Sequence, residues 1–168
     1  DYYASRGLGD VYKRQEPILL TLYTLSRLKE IYGEKEIYIL ENPSVFSWLC
    51  QRYPEKSFVC TNGQLRFSAF VLLDQLSRTS DLFYSGDHDP EGLLIAQKLK
   101  LRYKKRLTLW NYSRNLYEQN LSDVTLNERR LKQLDQIFIE ELQEIKEDMK
   151  HQKKAAYQES MLENYILQ

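Results

Sequence analysis

The stretch Leu82-Phe83-Tyr84-Ser85-Gly86-Asp87-His88-Asp89-Pro90-Glu91-Gly92-Leu93 passes from an apolar run through a small turn into two carboxylates, then opens a helical pattern. A short apolar run bounded by turn residues reads as a buried strand. Pro90 fits the first turn of the following helix, where its missing N–H costs no hydrogen bond. Asp87 and Asp89 on a tight turn can aim their oxygens at one cation, and hard oxygen donors of this kind suit Mg²⁺ or Mn²⁺ rather than zinc. An Asp-x-Asp alone is common in solvated turns and N-caps. Here a second apolar run, Ile37-Tyr38-Ile39-Leu40, also ends in an acid, Glu41, followed by Asn42-Pro43 and a helical pattern. Ligands of open α/β sheets bind beyond the carboxyl ends of the strands, so Glu41, Asp87 and Asp89 are expected to share one crevice.

The rest of the chain alternates in the same way. Apolar residues at near-helical spacing predict a helix over 16–32, with Pro17 at its start and Gly33 at its end. Strands are predicted at 36–40, 57–60, 82–85 and 106–110, and helices at 44–52, 65–78 and 91–102. This order argues for an α/β fold: about four parallel strands covered by helices and joined by right-handed crossovers. After Asn111 the pattern changes. Leu131, Leu134, Ile137, Phe138, Leu142, Ile145 and Met149 predict one amphipathic helix over 127–149 that packs on the same core, and a shorter helix is predicted over 155–167. The core is thus placed at 16–125 and a C-terminal helical segment at 126–168.

At 168 residues with 42% hydrophobic and 12% aromatic residues, the chain has material for one real core. Lys plus Arg equals Asp plus Glu at 24 each, so any DNA contact must come from local patches or from a metal bridging to phosphate. No apolar stretch approaches the roughly 20 residues that span a bilayer, and no membrane partner is expected. Cys50 and Cys60 lack metal-ligand spacing and read as small buried hydrophobes in a reducing cytoplasm.

The acid pattern resembles the Toprim domain of topoisomerases, primases and related nucleases. Asp87-His88-Asp89-Pro90-Glu91-Gly92-Leu93 is similar to the form found in topoisomerase VI A subunits. Taken in order, Glu41-Asn42-Pro43, Val59-Cys60-Thr61-Asn62-Gly63-Gln64 and Gly86-Asp87-His88-Asp89 resemble the C-terminal Toprim domain of an uncharacterised bacterial family. Its genes lie beside SMC-type ATPases in Wadjet-like plasmid-defence clusters. The resemblance covers the chain from about Glu16 and implies a Toprim-type, Rossmann-like fold and Mg²⁺-dependent DNA phosphodiester cleavage. DNA and SMC-type ATPase subunits are the partners it implies, and a second copy of the chain is a further candidate. Family members carry a large region before this domain, so the chain is expected to be a C-terminal fragment. Residues 1–15 resemble translated sequencing-adapter read-through and are set aside as a non-native leader.

Three like charges in one crevice repel, and each carboxylate removed from water is costly, so the cluster calls for a cation. Asp87 and Asp89 are the expected metal ligands. The Toprim resemblance gives Glu41 a place in the metal shell or as general acid/base towards the 3′ oxygen, and it makes Glu159 a candidate fourth acid. All three of Glu41, Asp87 and Asp89 are therefore catalytic candidates. Alternation turns the His88 ring away from its acidic neighbours, Asn42 reads as an N-cap, and Glu91 answers the helix dipole. No tyrosine is nominated as nucleophile, because in the topoisomerases that residue comes from another domain. Two histidines, His88 and His151, are too few for a two-metal phosphoesterase, and a phosphoaspartyl phosphatase would carry its acids after the first strand. A non-catalytic Toprim that docks DNA or assembles partners is the standing alternative.

Overall fold

The computed structural model describes residues 17–63 and 65–167; the leader assigned to residues 1–15 lies outside them. Four strands form a parallel sheet in the order β2-β1-β3-β4: β1 (Glu36–Leu40), β2 (Ser57–Cys60), β3 (Asp81–Ser85) and β4 (Leu107–Leu109). Helices α2 (Pro43–Arg52), α3 (Phe67–Leu76) and α4 (Pro90–Tyr103) make the crossovers. Four of the five residues of β1 are buried, as expected of a central parallel strand covered on both faces. The α/β reading of the sequence holds, with a four-stranded parallel sheet between helices. No helix among the described residues is long and apolar enough to cross a membrane.

Register is what positions the acids. Leu40, the last residue of β1, pairs with Ser85, the last of β3, and on its other side with Cys60. Glu41 and Gly86 therefore leave the sheet side by side. From β1 the chain crosses outward to β2, and from β3 it crosses the other way to β4, so the β1/β3 gap is the point where the connections diverge and a crevice opens.

The segments flanking this sheet depart from the periodicity reading. The helix expected over 16–32 contracts to α1 (Leu22–Arg27), of which only Leu25 is buried, while Ile18, Leu19 and Tyr23 face outward. Only Leu25 joins the core, and apolar spacing alone does not sustain a longer helix where most of the remaining apolar side chains stay exposed. The single helix expected over 127–149 is broken into α6 (Glu128–Leu131), two 3-10 turns (Lys132–Gln136 and Glu140–Leu142) and α7 (Gln143–Gln152). Its interruption has an identifiable partner: buried Gln97 of α4 accepts from the backbone N–H groups of Phe138 at 2.7 Å and Ile139 at 3.2 Å, and donates to the Gln136 carbonyl at 2.9 Å. One side-chain amide thus replaces the helical bonds lost at the break. Leu134, Ile137, Leu142, Ile145 and Met149 still pack into the core.

Nor does a helix follow at 155–167. Lys153, in the left-handed region at φ 55°, ends α7 and turns the chain into β6 (Lys154–Ala156). This strand pairs antiparallel with β5 (Leu121–Thr125), which follows α5 (Arg114–Gln119), and a 3-10 segment, Gln158–Asn164, closes the fold. Ala155, Ala156, Met161 and Tyr165 are buried.

Candidate functional site

Glu41 and Asp87 meet at the β1/β3 gap. Glu41 Oε2 accepts a hydrogen bond from the Tyr84 hydroxyl at 3.3 Å and from the Asp87 backbone N–H at 3.4 Å. Asp87 Oδ1 accepts from the Gln158 backbone N–H at 2.9 Å. Among the described residues no hydrogen bond reaches the other oxygen of either carboxylate. The turn that carries Asp87 is stitched down by β6: His88 and Ala156 exchange both backbone hydrogen bonds, at 2.8 and 2.9 Å. Strand-like alternation through this bridge buries the His88 ring against Tyr112, 4.9 Å between ring centroids, as the sequence led us to expect. Burial lowers the His88 pKa to about 4, so the imidazole is neutral and lies behind the carboxylates.

Asp89 is near but differently employed. Its Oδ1 caps α4 by accepting from Gly92 N–H at 2.7 Å, and its Oδ2 pairs with Arg130 Nη2 at 2.5 Å. Glu91 binds the same guanidinium, at 2.6 Å, and receives Gln133 Nε2 at 2.9 Å. Glu159 comes to the other side of the site, where Asn42 Nδ2 donates to its Oε1 at 2.5 Å while Asn42 Oδ1 caps α2. A cleft of about 490 Å³ opens here, lined by Asp87, Asn120, Leu121, Ser122, Tyr157, Glu159 and Ser160.

The electrostatics reflect crowding. Burial, followed by the charge of Asp87, raises the Glu41 pKa to about 7. Burial also raises that of Asp87 to about 6, opposed by the Gln158 N–H and reinforced by Asp89 and Glu159. Asp89 is raised as well, chiefly by burial, against the pull of Gly92 N–H and Arg130. Such perturbed carboxylates beside a cleft mark a candidate functional site.

Gly86 makes the approach possible. A Cβ there would stand 2.5 Å from the Tyr84 hydroxyl, 2.6 Å from Glu41 Oε2 and 3.1 Å from the Tyr112 hydroxyl. That Tyr112 hydroxyl is buried close beside Gly86. Gly86→Ala is expected to lower stability by about 1–3 kcal/mol and to lose the Tyr84–Glu41 contact, measurable by urea denaturation and by comparison with Tyr84→Phe. At Gly92 a Cβ would collide with the Asp87 carbonyl oxygen.

Among the described residues no three His, Cys, Asp or Glu side chains form a group that could hold a metal ion. The donor set nonetheless fits a cation that keeps most of its water: Mg²⁺ is commonly held by one or two carboxylates, and Glu41 and Asp87 supply two, each with an uncommitted oxygen. The sequence reading missed Gln158, Tyr165 and Arg130. Gln158 ties the site together, giving its N–H to Asp87, accepting from Asn42 N–H at 3.0 Å and donating to the Tyr165 hydroxyl at 2.7 Å, which in turn meets Ser85 Oγ at 2.8 Å. Only long-range pairing brings these groups to the strand ends, and no local spacing announces it.

Comparison with curated proteins and with solved structures finds no match to the chain. A family model does match, over residues 18–167, and the protein therefore belongs to the family described as Protein of unknown function C-terminus (DUF2399).

Proposed function

We propose that the chain is a Toprim-type domain that cleaves DNA phosphodiester bonds with Mg²⁺ held by Glu41 and Asp87. We further propose that it serves in the cytoplasm as the nuclease subunit of an SMC-linked plasmid-defence assembly, a role that rests on the ordered motifs alone. The observation that carries the chemical reading is the meeting of Glu41 and Asp87 at the divergence of the sheet, both pushed towards neutral pKa values. When bound, Mg²⁺ would neutralise charge on a phosphodiester oxygen and on the leaving group. The protein's own part is positional. Gln158 N–H fixes the rotation of Asp87, and the Tyr84 hydroxyl and Asp87 N–H fix that of Glu41, leaving the Glu41 Oε1 edge as the place where a proton is exchanged with the 3′ oxygen or an attacking water. Tyr157, on the cleft wall, offers a face for a nucleotide.

Two observations favour a second reading, a Toprim that docks DNA without cutting it: among the described residues no three acids form a group that could hold a metal, and Asp89 is engaged by Gly92 and Arg130. Metal binding is tested first. In EDTA-treated protein, added Mg²⁺ is expected to raise the melting temperature in calorimetry, since a ligand selective for the native state stabilises by about 2.7 kcal/mol at a hundredfold excess over Kd. Asp87→Asn is expected to remove most of that rise. An unchanged melting temperature in the wild type contradicts the metal reading.

A further inference from the structure

We infer that the outer face of α3 and α4, at the amino end of the sheet, binds the phosphate backbone of duplex DNA through Arg78, Lys98, Lys104 and Lys105; this rests on the DNA reading above but not on the metal. The run Lys98-Leu99-Lys100-Leu101-Arg102-Tyr103-Lys104-Lys105-Arg106 is rich in cations and holds no acid, in a chain whose charges balance at 24 each. It occupies the end of α4 and continues through a 3-10 turn, Lys104–Arg106, into β4. Lys98, Arg102, Lys104, Lys105 and Arg106 are exposed. Carboxylates reach part of the run: Asp74 holds Arg102 at 2.8 and 2.5 Å, Asp81 holds Arg106 at 3.0 Å and Glu141 holds Lys100 at 3.1 Å. Among the described residues Lys98, Lys104, Lys105 and Arg78, which follows α3, form no salt bridge. Lys98 and Arg102 lie over the Phe70 ring of α3, at 5.0 and 5.2 Å from its centroid, which joins the two helices into one cationic face.

Two structural roles account for only part of this charge. Lys100 and Arg102, in the last turn of α4, answer the helix dipole. Cations beside β4, an edge strand, discourage pairing with another chain. Neither role reaches Lys98, which stands before the last turn, or Arg78 on the neighbouring helix. Lys104 is more telling. It ends α4 at φ 51° and ψ −120°, a conformation that glycine adopts freely and lysine only with strain. What lysine adds there is its charge. The position of the patch selects the partner. α4 opens at the candidate site, where Asp89 caps it, and its 14 residues carry the chain about 21 Å to the patch. A polyanion that reaches both ends of one helix must be long and stiff, and about six base pairs of duplex span the distance. Lysine ammonium groups meet phosphates as point charges and read no base, so this contact is independent of sequence.

The test is fluorescence anisotropy of a labelled duplex with the 168-residue chain, in EDTA to remove any metal bridge, over a series of salt concentrations. Wild type is expected to bind, with an affinity that falls as salt rises and is alike for two unrelated sequences. Lys98→Gln, Lys104→Gln and Lys105→Gln are each expected to weaken binding severalfold at low salt and to lower the slope of log K against log salt by about 0.9. Lys29→Gln, at an exposed lysine beyond α1, is expected to change neither. Lys104→Gly is expected to lose as much affinity as Lys104→Gln without a fall in melting temperature, which separates the charge from the fold. Wild-type slopes in the patch variants, or an equal loss in Lys29→Gln, overturn the inference while leaving the candidate site standing. Polyglutamate that displaces the duplex charge for charge overturns it too, and makes an acidic protein segment the partner. A wild type that binds the duplex only when Mg²⁺ is added overturns the inference alone, and one that binds no DNA with or without Mg²⁺ overturns the DNA reading with it.

Discussion

Glu41→Gln is expected to raise the stability of the metal-free protein at about pH 8 by on the order of 3 kcal/mol. In the folded chain the Glu41 pKa is pushed up to about 7, from an ordinary 4.5, because burial and the neighbouring Asp87 both disfavour the charge. Between those values the native state binds more protons than the unfolded state. Stability therefore falls as pH rises across that window, and the whole loss is in force above the folded value. Glutamine keeps the size and hydrogen-bonding capacity but carries no charge. The difference between the two proteins should thus be absent near pH 4, grow through the window and level off above it. Urea denaturation in EDTA at a series of pH values measures it, and a difference that does not change with pH contradicts the assignment. Added Mg²⁺ should flatten the wild-type profile, since a cation favours the ionised carboxylates.

How much of this was legible in the sequence depended on how local the cause was. The strands at Ile37-Tyr38-Ile39-Leu40 and Leu82-Phe83-Tyr84 are buried apolar runs ending in turn residues, and their acids follow them directly. The convergence of Glu41 and Asp87 therefore needed only the rule that parallel strands end at a common edge. Asn42 as a cap and His88 as an inward ring follow from equally local geometry. The C-terminal third was misread because its spacing is helical while its hydrogen bonds are not. Gln97, some forty positions away, takes the backbone groups of Phe138 and Ile139, and the His88–Ala156 bridge turns an expected helix into a strand. The same distance in sequence hides Arg130, about forty positions from the acids it binds. Its partners are Asp89, the cap of α4, and Glu91 in the first turn of that helix. Periodicity reports which face of a segment is apolar, and it is silent on which side chain from elsewhere will compete for its backbone.

The account stands on Glu41 and Asp87 acting chemically on a phosphodiester, and plasmid cleavage tests that most directly. Supercoiled circular DNA would be incubated with the protein in its proposed assembly with SMC-type ATPase subunits, in Mg²⁺ and ATP, and nicked and linear products followed over time. Wild type is expected to cut. Glu41→Gln and Asp87→Asn are each expected to lower the rate by about two orders of magnitude or more, the scale for loss of a general acid/base or metal ligand, while DNA binding stays largely intact. Cleavage by either variant at the wild-type rate contradicts the catalytic assignment, and a wild type that binds DNA in Mg²⁺ or Mn²⁺ without cutting it establishes the docking module in its place.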